Sequence, residues 1–283
     1  MKGTHVLNHQ TIEGLYALKL PAMAVGLAEQ AESASHQALS FEERLGLLVD
    51  RELAARESRR LERYLKTAKL RTSAVLEDVD FRRRRGLERP VVLGLAESTW
   101  VASRHNVAVV GPTGVGKTFL ACALANCAIR RGHTALYLRA SRMLDELAVA
   151  RVDGRFQRLT ASWARIDVVV IDDFLLRPLT PDQAADTLEV IEDRAGLRST
   201  IITSQLPIAM WHQAMGEPTV ADAVLDRVLQ NLHRIELEGE SMRRPEGASN
   251  TAGGGDGERG RTGAKRANRS APAHDAGGAE ARR

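Results

Sequence analysis

Hydrophobic and polar positions divide the chain into three stretches of different character. Through the first seventy residues or so, apolar side chains recur at helical spacing. Ile12, Leu15, Tyr16 and the segment around Leu20 form one such run, broken at Pro21. Ser40 and Glu43 have the form of a capping box just before Phe41, Leu45, Leu48 and Val49. The helix that they start reads on through Leu53, Leu61, Tyr64, Leu65 and Ala68.

From Val91 to Glu238 the pattern changes to short apolar runs separated by helical segments. Asn106–Val110, Thr134–Arg139, Asp167–Ile171, Thr200–Thr203 and His233–Leu237 are the predicted strands. Runs that are apolar at nearly every position suit a parallel sheet covered on both faces. Boundary signals agree with this division. Gly132 follows Arg130 and Arg131, where a helix should end. Thr180-Pro181-Asp182-Gln183 joins a capping box to a proline at the first helical position, in a helix that ends before Gly196. The third stretch, Pro245 to Arg283, is rich in Gly, Ala and Arg and nearly lacks large apolar side chains. Such a stretch buries too little surface to offset its ordering entropy, so it is expected to be disordered.

The expected fold class is α/β: a three-layer sandwich about a central parallel sheet of about five strands, preceded by a small all-α domain. The expected division is a helical domain at 1–70, a basic linker at 71–90, the sheet domain at 91–244 and the tail at 245–283.

Composition changes this picture in two places. The 283 residues carry 43% hydrophobic and 27% charged side chains, ordinary for a globular protein, and the start lacks the apolar core of a signal peptide. The longest apolar stretch, Leu20 to Ala28, is too short to span a bilayer, so a cytoplasmic protein with no membrane partner is expected. Cys122 and Cys127 have neither a metal nor a redox spacing and read as free thiols. The net charge of +4 conceals a local excess: Arg51 to Pro90 holds 13 Lys/Arg against 7 Asp/Glu. Within it Arg56, Arg60, Arg63 and Lys66 fall near one another on one side of the predicted helix, a candidate surface for a polyanion such as DNA. Glu52, Glu57 and Glu62 are interleaved with them, so a merely solvated, ion-paired face is the competing reading.

The chemistry centres on Gly111-Pro112-Thr113-Gly114-Val115-Gly116-Lys117-Thr118, which follows the first predicted strand and opens a helix. This is the phosphate-cradling G-x-x-x-x-G-K-[ST] loop. Its glycines let backbone N–H groups converge on a polyphosphate at the positive end of the helix. Lys117 adds a charge for the β- and γ-phosphates, and the Thr118 hydroxyl is a ligand for Mg²⁺. The strand Val168–Ile171 then ends in Asp172-Asp173, one carboxylate for the metal and one to orient the attacking water. Thr203-Ser204-Gln205, after the fourth strand, offers polar groups for the γ-phosphate; ordinary turn polarity explains any one of them nearly as well. Arg227 reads equally as a salt-bridged surface residue or as a finger for a neighbouring subunit's γ-phosphate. Trp100 and His105 stand open between an adenine pocket and plain packing.

With these elements in order, the chain resembles the IstB-type transposition helper ATPases of insertion sequences. These are AAA+ proteins similar to the helicase loader DnaC. The residues that carry the resemblance are Leu18-Lys19-Leu20, Ser40-Phe41-Glu42-Glu43-Arg44-Leu45, the phosphate loop and Ile171-Asp172-Asp173-Phe174. Ile201 to Gln205, Leu225-Asp226-Arg227, His233 to Leu237 and Gly239 to Arg243 complete the set. The resemblance implies ATP and Mg²⁺ as cofactors, Lys117 and Thr118 on the nucleotide, Asp172 on the metal and Asp173 on the water. It further implies Ser204 or Gln205 as γ-phosphate sensor, Arg227 as a finger acting in trans within a homo-oligomer, and Arg243 as a second sensor. Duplex DNA and an IstA-type transposase are the implied partners, met by the N-terminal helical region. The helical lid common in AAA+ proteins is absent from the pattern after the fifth strand. Two departures stand out: Gln205 replaces a frequent Asn, and Asp173 replaces the longer Glu, which predicts modest turnover. A DnaC-like helicase loader is the alternative function; a small-molecule kinase would need a mobile lid that the pattern lacks.

Overall fold

Alternation along five short strands decides the architecture. The computed structural model describes residues 2–242. The strands β1 (Asn106–Val110), β2 (Ala135–Arg139), β3 (Val168–Phe174), β4 (Ser199–Ser204) and β5 (Leu232–Glu236) form one parallel sheet in the order β2-β3-β4-β1-β5. The expected α/β class and strand count are therefore met, with β3 running three residues beyond its predicted end. Val107, Val109, Val168, Val170, Ile201 and Ile235 point to one face, where they pack with the helix α7 (Lys117–Arg130). Ala108, Val110, Val169, Ile171 and Ile202 point to the other. That second face is covered by α8 (Ala140–Val152), α9 (Phe156–Ala164), α10 (Pro181–Glu192), α11 (Trp211–Met215) and α12 (Pro218–Leu229). Each fully buried Val, Leu or Ile contributes about 1.5–3 kcal/mol, so both faces drive the closure of the sheet.

Local signals set the helix ends. Thr180 and Gln183 exchange side chain–backbone hydrogen bonds of 3.1 and 3.3 Å, the capping box read from sequence. At the end of α7 the Gly132 N–H donates to Ile129 O at 2.9 Å with φ +90°, a conformation that glycine adopts without strain.

The N-terminal region contains α1 (Lys2–Ala17), α2 (Pro21–Glu32), the short α3 (Ala34–Gln37) and the long α4 (Phe41–Ala68). Ser40 and Glu43 cap α4 reciprocally, at 2.8 and 3.2 Å. Glu52 of α4 fastens α2: its Oε2 accepts from Ala22 N at 2.8 Å and Met23 N at 3.2 Å, while Oε1 receives Arg56 and Arg59. The orphan N–H groups of α2 lack a side-chain cap of their own, so this carboxylate takes that place. Burial alone would raise the Glu52 carboxyl; Arg56 and the two N–H donors outweigh it and carry the value below the ordinary range. Toward its C-terminus α4 reaches the sheet, with Leu61, Tyr64 and Leu65 packed on the α7 side of the core.

Residues 71–88, linker-like in composition, bury Ala74 and Val79 in that same core around one 3₁₀ turn at Leu76–Asp78. Helices α5 (Arg89–Ala96) and α6 (Thr99–Ala102) follow and lead into β1. Past β5, residues 237–242 run back along the phosphate loop, with Leu237 N on Val110 O (2.8 Å) and Met242 N on Gly114 O (2.9 Å). Arg243 and the tail at 245–283 lie outside the described residues. No helix among the described residues is long and apolar enough to cross a membrane.

Candidate nucleotide site

The phosphate loop is shaped by three glycines in the left-handed half of conformational space: Gly111 at φ +148°, Gly114 at +89° and Gly116 at +99°. A Cβ at Gly111 would strike the Leu237 carbonyl, and one at Gly114 would strike Ser241. The loop is thus clasped between β1 and the segment after β5. Lys117 Nζ donates to Gly111 O and Pro112 O, both at 2.7 Å, which holds the ammonium at the loop's mouth with only 6% exposure. Beyond it the first turn of α7 presents backbone N–H groups that no side chain caps, a ready seat for an anion.

The period of two in β3 places Asp172 on the same face as Val168 and Val170, beneath α7. Its carboxylate is 0% exposed. It accepts from Thr118 Oγ1 at 2.8 Å, Thr203 Oγ1 at 2.5 Å and Tyr137 Oη at 2.5 Å, with Arg71 Nη1 at 3.4 Å. A buried carboxylate without such donors would be prohibitively costly. Burial first, and then the Asp172 carboxylate, push the Tyr137 phenol well above its ordinary value, so it stays a donor.

Strict alternation would turn the next residue to the far face. Instead the ladder with β4 slips between Ile171 and Phe174, and Asp173 takes φ +57°. For a non-glycine residue that conformation costs about 1–2 kcal/mol, less for Asp, whose short side chain tolerates it. The Asp173 N–H donates to Thr203 Oγ1 at 3.0 Å, and its carboxylate lies 3.2 Å from Arg139 and 3.8 Å from Arg71. Asp173, Lys117, Gln205, Arg71, Arg85 and Arg139 all line one cavity of about 460 Å³.

The donor set fits magnesium. The Thr118 hydroxyl and the Asp172 carboxylate are hard oxygens 2.8 Å apart. Among the described residues no group of three or more His, Cys, Asp or Glu side chains gathers. Magnesium at a phosphate site needs none, since waters and phosphate oxygens complete its shell.

The remaining candidates divide. Gln205 Oε1 accepts from Thr113 Oγ1 at 2.6 Å and so ties the end of β4 to the phosphate loop. Ser204 is turned away: its hydroxyl donates to Phe174 O at 2.8 Å and accepts from Leu206 N at 3.1 Å. Arg227 stands outside the cavity on α12, bound to Glu192 Oε1 at 2.8 Å and Ala223 O at 2.9 Å. Trp100 and His105 do not line the cavity either. Trp100 Nε1 donates to Leu95 O, and His105 pairs with His233 at 3.1 Å, so packing is their role. On α4, Arg56 is engaged by Glu52 and by Lys19 O, whereas Arg60, Arg63 and Lys66 are exposed.

Three arginines of the cavity escaped the sequence reading. Arg85 ends a basic run that looked like surface charge, yet it is buried, with Nη1 on Val115 O at 2.7 Å and Nη2 on Asp80 O at 3.0 Å. Arg71 and Arg139 carry no local signature; only chain folding brings them to the carboxylates.

Comparison with known proteins agrees with this geometry. The family model described as IstB-like ATP binding protein matches residues 14–249. A putative insertion sequence ATP-binding protein of Sinorhizobium fredii, y4pL, is 46% identical over 239 residues, covering 84% of this chain and 98% of its own length. The insertion sequence IS1162 putative ATP-binding protein of Pseudomonas fluorescens is 50% identical over 203 residues, covering 71% of this chain and 88% of its own. Among solved structures, the crystal structure of DnaI superposes with a TM-score of 0.50 at 22% identity, over 58% of this chain and 91% of that one, a likeness of fold. The phosphate loop, the acidic strand end and the sheet order thus converge on one conclusion: the chain belongs to the IstB-like ATP-binding proteins of insertion sequences and is an ATPase.

Proposed function

We propose that this ATPase is a helper in transposition that binds duplex DNA, remodels it and regulates or delivers an IstA-type transposase. The observation that carries the hydrolytic half is the contact between Thr118, at the head of α7, and the sealed carboxylate of Asp172, with Asp173, the next residue, lining the same cavity as Thr118. In this reading Gly111 to Thr118 cradle the triphosphate, and Lys117 exchanges the carbonyls of Gly111 and Pro112 for the β- and γ-phosphates. Thr118 and Asp172 hold Mg²⁺, which when bound neutralises phosphate charge. Asp173 orients the attacking water. Gln205, through Thr113, reports the γ-phosphate to the loop, since the Ser204 hydroxyl is already engaged. Arg227 leaves Glu192 to reach across a subunit interface in a homo-oligomer, and Arg243 completes the reading as second sensor.

The N-terminal region supplies the partners' surfaces. Exposed Arg60, Arg63 and Lys66 support DNA contact, joined by Arg56 once it gives up Glu52. Phe41, Leu45, Val49 and Leu53, exposed at every fourth residue, support a protein contact with the transposase. Residues 1–70 thus act as the recognition domain and 91–244 as the motor, joined through 71–90.

Hydrolysis measured with and without duplex DNA, together with particle size in ATP, tests this. DNA-stimulated turnover by a large assembly, lost in Lys117→Ala, is the expected result. A monomer whose hydrolysis ignores DNA would refute the partner reading, and folded protein that takes up no ATP would refute the whole.

A further inference from the structure

Asp172 is buried among neutral donors, and the fold adds a cation to them from an unexpected place. Thr118, Thr203 and Tyr137 are neutral donors. Arg139 reaches Asp173. Arg71 is the guanidinium that touches both carboxylates, at 3.4 Å from Asp172 and 3.8 Å from Asp173. Its side chain is 43% exposed and lines the nucleotide cavity, so it has room to move away. Its backbone does not. Ala68 and Ala74 on either side of it are buried in the core shared with α7, and the Cys122 sulfur of α7 interacts with the backbone at Arg71 and Thr72. Lys69, at φ +50°, ends the 28-residue α4 two residues earlier.

We propose that Arg71 is a positioning residue of the metal site: it holds Asp172 and Asp173 in place and must release Asp172 before that carboxylate can ligate a divalent cation. The inference rests on the reading of Asp172 as the metal's carboxylate. A single positive charge at hydrogen-bonding range competes directly with a divalent one for the same oxygens. Because Arg71 is rooted at the end of α4, the helix that bears Arg60 and Arg63 is mechanically joined to the metal site.

The test is a Mg²⁺ titration of the full-length protein saturated with a fluorescent, non-hydrolysable ATP analogue. Arg71→Gln should lower the half-saturating Mg²⁺ concentration about fivefold, the scale of a partly exposed ion pair. Arg71→Lys, which keeps the charge but loses the planar fork, should fall between Gln and wild type. A half-point that is unchanged or higher in these variants overturns the proposal, the higher value placing Arg71 on phosphate instead. If Arg71→Gln fails to fold, the Lys variant decides on the same criterion. Asp172→Asn separates the two readings. Intact Mg²⁺ dependence in that variant removes Asp172 from the metal and this inference with it. Dependence lost there but unmoved by Arg71 substitutions removes the inference alone.

Discussion

Helices α4 and α7 meet in the same core yet are held by different physics. Of the 28 residues of α4 only Leu48, Glu52 and Ala68 are buried, whereas ten of the fourteen in α7 are. Helix α7 is apolar nearly all round and is positioned by the sheet beneath it and the N-terminal segments above it. Helix α4 relies on its capping box, the Glu52 ion pairs and a short apolar patch near its C-terminus. A helix fixed by packing keeps Lys117 and Thr118 in register with the sheet; one that packs over only part of its length leaves its other sides open. The proposed division between motor and recognition surface runs along that contrast.

Three experiments would break or sharpen it, from the largest effect to the smallest. Leu124→Ala, in the fully buried part of α7, should cost about 2–5 kcal/mol in chemical denaturation. Leu53→Ala, exposed on α4, should stay within about 0.5 kcal/mol. Comparable losses at both positions would mean that α4 is packed as tightly as α7. Next, Arg60→Ala with Arg63→Ala should weaken duplex DNA binding about tenfold at low salt and reduce the salt slope by about two, while nucleotide affinity is retained. Unchanged DNA affinity would leave α4 a solvated face. The smallest effect concerns the seam between β1 and β5. Burial, then the neighbouring His105, lower the His233 pKa from its ordinary 6.5. The folded chain therefore binds fewer protons here than the unfolded one just below pH 6.5. This contribution to stability is full above the ordinary value and is lost as pH falls through it to the lowered one. The thermal midpoint of His233→Gln should lose part of the wild-type decline between neutral and mildly acidic pH.

The strands show how far local pattern reaches. β1 spans Asn106–Val110 as its run predicts: flanked by β4 and β5 it buries Val107 to Val110, and the one polar residue, Asn106, enters the sheet with its side chain accepting from Thr200 N and donating to Val228 O. β3 runs past its apolar run because Asp172 and Asp173 belong to it, and polarity alone reads as a strand end. The capping boxes at Ser40 and Thr180 were legible since donor and acceptor lie three residues apart. Nothing within reach of Glu52 along the chain points to the N-terminus of α2, thirty residues away, whereas its pairing with Arg56, four residues on, is local and was legible.

What the amino-acid order determined alone is the set of local bargains: hydrophobic period, helix caps, and a loop whose glycines and lysine suit a polyphosphate. These rest on interactions between near neighbours, so they can be read in one dimension. Tertiary structure alone decided which charges meet. The sheet order brings Thr203 and Tyr137 from the strands flanking β3 onto Asp172, and Arg71 arrives from a hundred residues upstream. Turning Ser204 inward and Gln205 toward the loop likewise depended on the path of β4. Electrostatic partners are chosen by distance in space and by exclusion of water, and neither is written in the spacing of residues along the chain.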